Sequence, residues 1–136
     1  MNDIKRLLNS TMPLVKELLE KYGEFYPLAS AIKINDSIAQ VGTNNGDEKP
    51  LSKNLILEIK KALKHKKDTY KTIAIFYDIT TVDPDTNVKI DAIAVFVENK
   101  NNDFAFTFYY PYTLKNKKLI FLDPWKSEIE KEIFND

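Results

Sequence analysis

The stretch TIAIFYDITTV, residues 72–82, decides how this chain is read. Nearly every position is β-branched or aromatic, and glycine and proline are absent, which predicts a strand. Alternation places Ile73, Ile75, Tyr77 and Ile79 on one face and Ala74, Phe76, Asp78 and Thr80 on the other. The pattern then repeats. DPDTN (83–87) supplies a turn, VKIDAIAVFVE (88–98) a second long strand and NKNND (99–103) another turn. FAFTFYYPY (104–112) forms a third strand, with Phe104, Phe106, Phe108, Tyr110 and Tyr112 at period two. Short polar turns imply antiparallel neighbours, because parallel strands need long crossovers.

Upstream, Ile4, Leu7, Leu8, Thr11, Val15, Leu18, Leu19 and Tyr22 recur at three- and four-residue intervals, the spacing of an amphipathic helix. Asn2 or Asp3 can cap its start, and Pro13 predicts a short lead-in followed by a main helix over residues 12–22. Gly23 suits the left-handed residue that ends such a helix. Residues 25–34 and 38–41 read as a hairpin turning at Asn35, Asp36 and Ser37. TNNGDEKP (43–50) reads as a loop, and Pro50 with Ser52 opens a second helix with Leu55, Ile56, Ile59, Ala62 and Leu63 inward. KHKK (64–67) closes it, cations there complementing the helix dipole. After the third long strand, LKNKK (114–118) turns the chain and LIFL (119–122) adds a short strand. Residues 124–134 are expected to form a terminal helix with Ile129 and Ile133 inward.

The expected order is αββαβββ(β)α: an α+β domain over residues 1–136, with an antiparallel sheet of about five strands and helices packed on it as two or three layers. That order resembles roadblock, profilin-like and longin-like scaffolds. With 136 residues, 43% of them hydrophobic, the chain can bury one core. Twenty Lys plus Arg balance twenty Asp plus Glu, so no net field draws it to nucleic acid or an anionic membrane, and neither is expected as a partner. Cysteine is absent, which removes disulfides, thiolate metal sites and cysteine nucleophiles and fits a reducing cytosol. With no long apolar N-terminal run, a cytoplasmic protein is expected.

Catalytic motifs are few. The single histidine, His65, sits in the basic helix end, so no histidine triad or multi-histidine metal site can be built. Three glycines, Gly23, Gly42 and Gly46, make neither a dinucleotide nor a P-loop motif. Asp83 and Asp85 partly match a calcium loop but lack its glycine and distal glutamate, and read as a hairpin turn. No catalytic residue, metal ligand or cofactor is therefore assigned. Asp78 and Asp91 lie within otherwise apolar strands, where a carboxylate on a core face would need a partner; Asp91 shares a face with Lys89 and Asp78 with Thr80, so an exposed or edge-facing pair with a cross-strand partner is expected rather than a catalytic one.

Aromatic residues are the most distinctive content. Tyr109, Tyr110 and Tyr112 join the phenylalanines to put rings on both faces of one strand. One face builds the core, with Tyr110 and Tyr112 continuing its row, and the other needs a helix, a partner chain or a ligand. Trp125 is expected to staple the final segment to the domain. In GEFYP (23–27), Gly23 ends the helix, Phe25 and Tyr26 point to opposite sides, and Pro27 suits an edge or first strand position. Glu24 reads as a solvated corner residue or an ionic contact to a basic partner.

The GEFYP corner, the strand IAIFYDI and the later Tyr110-Pro111-Tyr112 resemble a group of small, largely uncharacterised bacterial α+β proteins in which such a corner precedes an apolar hairpin. In size, charge and lack of catalytic motifs the chain is also loosely similar to immunity proteins of bacterial toxin systems. The resemblance implies a non-enzymatic protein-binding module of the immunity-inhibitor type; no single residue carries that likeness, and the tyrosines and carboxylates themselves offer Glu24, Tyr26, Asp78, Asp91, Tyr109, Tyr110 and Tyr112 as candidate contacts to another protein. The alternative is a homo-oligomeric roadblock or profilin-like scaffold. A carboxylate-dependent enzyme ranks third.

Overall fold

The computed structural model describes residues 2–41 and 52–135, so the loop expected at 43–50, with Pro50, lies outside the described residues. α1 (Asp3–Tyr22) is one unbroken helix rather than a lead-in and a main helix. Asn2 caps it by accepting the Lys5 amide at 2.7 Å, and Gly23, at φ 77°, closes it with its N–H on the Leu19 carbonyl. Pro13 lies on the exposed side of the helix. The inner stripe Leu7, Thr11, Val15 and Leu19 is buried on both sides of that proline, and this packing keeps the two halves in line.

β1 (Leu28–Lys33) begins three residues later than the sequence suggests and pairs with β2 (Ile38–Val41). Asp36 holds their turn in place: its carboxylate accepts Arg6 of α1 at 2.8 Å and Lys71 at 2.7 Å. The Lys71 and Arg6 hydrogen bonds and charges keep its pKa below the usual carboxylate range. α2 (Ser52–His65) buries Leu55, Ile59 and Leu63 at four-residue spacing, whereas Ala62, expected inward, is exposed. A short 3-10 turn (Lys67–Thr69) leads into β3 (Tyr70–Val82), followed by β4 (Lys89–Asn99) and β5 (Ala105–Lys115). Phe104 falls just before β5 and is exposed, so the aromatic row starts at Phe106.

The sheet is antiparallel in the order β2-β1-β3-β4-β5-β6, with β6 at Lys118–Phe121. The terminal helix expected over 124–134 is not present. Residues Trp125–Ile129 form β7, which also pairs with β5, and among the described residues the sheet has seven strands rather than about five. Ile129 and Ile133 have helical spacing, but the outer edge of β5 carries open backbone donors and acceptors that a strand satisfies and a helix does not. Trp125 adds a ring stacked on Tyr109 at 5.2 Å. β6 and β7 lie end to end along that edge. Between the pairs Tyr112↔Phe121 and Tyr109↔Trp125, three steps on β5 face four on the outer strand, a one-residue bulge that accommodates Pro124.

Three layers result. α1 packs on the face carrying Ile32, Ala74, Phe76, Ile93 and Val95. Thr11 and Ser30 share a hydrogen bond of 2.9 Å inside that interface. α2 and the last residues cover the opposite face, where Ala31, Ile73, Ile75 and Phe96 meet Ile59, Leu63 and Ile133. Glu98 is 1% exposed on that second face, and its carboxylate accepts the amides of Glu132, Ile133 and Phe134 at 2.8 to 3.0 Å. Among the described residues no helix is long and apolar enough to cross a membrane.

Candidate functional site

The register of the three long strands brings several candidates together on the α1 face. Asp91 lies opposite Thr80 on β3 and opposite Tyr112 on β5, with Asp78 two residues before Thr80. Thr80 donates its hydroxyl to Asp91 at 2.9 Å, and Tyr112 donates to Asp78 at 2.7 Å. Both aspartates thus have the cross-strand polar partners that their place in apolar strands requires. α1 stops at Gly23, and Glu24, the next residue, is close enough for its charge to act on Asp78.

Burial raises the pKa of Asp78, the Tyr112 hydroxyl opposes the rise, and the charges of Asp91 and Glu24 add to it. Tyr112 is raised in turn, by burial first and then by its hydrogen bond to Asp78. Burial alone raises Tyr110. Among the described residues no cation forms an ion pair with Glu24, Asp78 or Asp91. Lys89 shares the face of Asp91 but is not paired with it.

The raised Asp78 value carries a pH dependence. A group whose folded-state pKa exceeds its unfolded value stabilises the fold fully below the unfolded value, and that contribution is lost as pH rises through the folded one. The contribution of Asp78 to stability is therefore expected to fall as pH climbs from about 4 through the raised value, with the carboxylate reference near 3.9. Asp78→Asn keeps an acceptor for Tyr112 and removes this loss. At neutral pH the variant gains no more than about 1 kcal/mol, because the half-exposed carboxylate is screened by solvent. Urea unfolding across pH 3–8 checks this, and a variant whose pH profile parallels the wild type counts against it.

Beside the carboxylates, the GEFYP corner opens a cavity of about 510 Å³. Leu18 and Tyr22 of α1 form one wall; Glu24, Tyr26, Pro27 and Leu28 form the other, with the buried Phe25 ring completing the lining. Tyr22 is 63% exposed and Tyr26 48%, so both rings stand at the mouth. Asp78 and Asp91 do not line this cavity, and Glu24 is its one carboxylate among the described residues. Since Glu24 is exposed and accepts no hydrogen bond from the described residues, Glu24→Gln is expected to change stability by less than about 0.5 kcal/mol. Thermal unfolding of the variant measures it.

The seven candidates thus divide. Glu24, Asp78, Asp91, Tyr110 and Tyr112 belong to one end of the α1 face, and Tyr26 lines the adjoining cavity. Tyr112 is only 5% exposed, so it contributes through its hydroxyl and not as an open ring. Tyr109 faces the other way, under Trp125. Leu18 and Tyr22, which the sequence places only in the helical apolar stripe, also line the cavity. Their signal was an apolar arc on α1 wider than the buried stripe Leu7, Thr11, Val15 and Leu19.

A second cavity, of about 500 Å³, lies where the β3–β4 turn meets the β6–β7 bulge, with Asp83, Asp85, Asp123 and Trp125 in its lining. Asp83 accepts the amides of Asp85 at 2.8 Å and Thr86 at 3.3 Å, the bonding of a tight turn. Among the described residues no cluster of three or more His, Cys, Asp or Glu side chains is arranged to hold a metal ion.

No family model, no curated protein and no solved structure matches the chain.

Proposed function

We propose that this protein is a non-enzymatic binding module, acting in the cytoplasm, that occupies the face of another protein in the manner of an immunity-type inhibitor. One observation carries the reading: an apolar cavity with two exposed tyrosines at its mouth adjoins three carboxylates that no cation of the described residues pairs. Exposed tyrosines supply large contact area with a hydroxyl for orientation, and unpaired carboxylates favour a basic surface and speed its approach. Inhibition follows from coverage of that surface and needs no chemistry by this chain.

Affinity capture from the native cell, with intact-mass analysis, tests the reading. The wild-type protein is expected to retain one stoichiometric basic partner. Glu24→Gln combined with Asp91→Asn, both at exposed carboxylates, is expected to weaken the complex about tenfold and flatten its salt dependence. Recovery of a stable homodimer and no partner would defeat it.

The scaffold reading draws on a different observation. Ile120, Phe121 and Leu122 are each more than 40% exposed on the outermost edge of the sheet, next to Leu114 at 38%. An apolar edge of this kind suits pairing between two copies. Light scattering of the wild type and of Ile120→Lys distinguishes it: a dimer that the lysine dissociates supports the scaffold.

A further inference from the structure

We infer that the corner cavity is an anchor pocket for one bulky apolar side chain of a partner protein, presented directly beside an arginine. This rests on the reading of the chain as a binding module and adds what the partner must offer. The pocket exists because α1 is apolar over a wider arc than the sheet covers. Leu19 and its stripe are spent on the core, while Leu14, Leu18 and Tyr22, at four-residue spacing, form a neighbouring stripe. Leu14 is 44% exposed and Tyr22 63%, and Tyr26 and Pro27 extend the same apolar surface beyond the end of the helix. Such a surface, with rings at its mouth, gains most from a large side chain that displaces water from it. A volume of about 510 Å³ exceeds any one side chain, which suits a bulky ring together with the stem of a neighbouring residue.

Charge selects that neighbour. Glu24 sits in the lining and its charge reaches Asp78, which lies next to Asp91 in the sheet. No lysine among the described residues forms an ion pair with these three carboxylates. Lys89 is unpaired with them, and Lys21 places its ammonium over the Tyr22 ring at 5.2 Å. That contact shows the ring already accepting a cation on one face. A guanidinium arriving with the anchor pairs with Glu24 in two-pronged geometry and lays its flat cationic surface on a tyrosine, a combination that no carboxylate or amide neighbour supplies.

The test uses the full chain and synthetic peptides, followed by amide chemical shifts. One peptide carries a tryptophan flanked by arginines; two controls replace the tryptophan with alanine or the arginines with glutamates. The arginine-flanked tryptophan peptide is expected to bind saturably, with shifts concentrated in residues 18–28. Both controls are expected to bind about tenfold more weakly or worse, as are the Tyr22→Ala and Tyr26→Ala proteins. Both substitutions fall at exposed positions, and a dispersed amide spectrum verifies each fold. Controls that bind as tightly as the test peptide, or shifts that leave residues 18–28 unmoved, overturn the pocket. So does a captured native partner indifferent to both tyrosine substitutions, although the binding-module reading then stands. Peptide binding as expected, with no native partner captured, supports the pocket and counts against that broader reading.

Discussion

Replacing Glu98 with alanine is expected to lower stability by about 3–5 kcal/mol, the largest effect of any single polar substitution in this protein. Glu98 is almost fully enclosed on the α2 face, in a strand otherwise occupied there by Ala92, Ala94 and Phe96. Its carboxylate is kept there by three successive backbone amides, those of Glu132, Ile133 and Phe134. These amides are donors that no helix or strand satisfies, so one side chain satisfies all three of them. Without it, three N–H groups lose their acceptor, and Ile133, 1% exposed in the native protein, loses the restraint that keeps it in the core. Glu98→Gln retains one acceptor oxygen but turns an amide donor toward the other N–H groups, so it is expected to recover only part of the loss. Urea denaturation gives the magnitude. Hydrogen exchange gives the mechanism: residues 132–134 are expected to lose protection first, and unchanged protection there would show that another contact holds the segment.

Trp125→Ala is expected to cost about 2 kcal/mol, from the lost ring contact and the apolar area it covers. Trp125 stacks on Tyr109 at 5.2 Å and begins β7, which among the described residues pairs with β5 alone. The damage is therefore expected to be local before it is global. Amide protection is expected to fall along residues 125–129 while β3 and β4, in the middle of the sheet, keep theirs. Uniform loss of protection would mean that Trp125 supports the core as a whole. Trp125→Phe, which keeps a ring over Tyr109, is expected to restore most of the stability.

These two substitutions also mark where the sequence was hardest to read. Residues 125–133 fit two periods: Ile129 and Ile133 are a helical turn apart, whereas Trp125, Ser127 and Ile129 alternate as a strand. Local spacing cannot choose between them. The choice falls to β5, whose outer edge offers a ladder to any segment that can reach it. Glu98 was legible in principle, because alternation puts it in line with Phe96. Asp78 and Asp91 interrupt their strands more conspicuously, yet each sits toward the end of the sheet with a hydroxyl partner.

The long central strands, their antiparallel order, the α+β class and the glycine-ended first helix were determined by the sequence alone. All of them follow from local rules: β-branched and aromatic residues alternating over ten or more positions, polar turns too short for crossovers, and a residue without Cβ where φ must be positive. Only the tertiary structure decided the fate of the last segment, the burial of Glu98 and the cavity at the GEFYP corner. Each of these depends on which distant backbone or side chain comes to lie alongside. Pairing satisfaction and the width of a helix's covered arc are properties of the packed layers, and no window along the chain contains them.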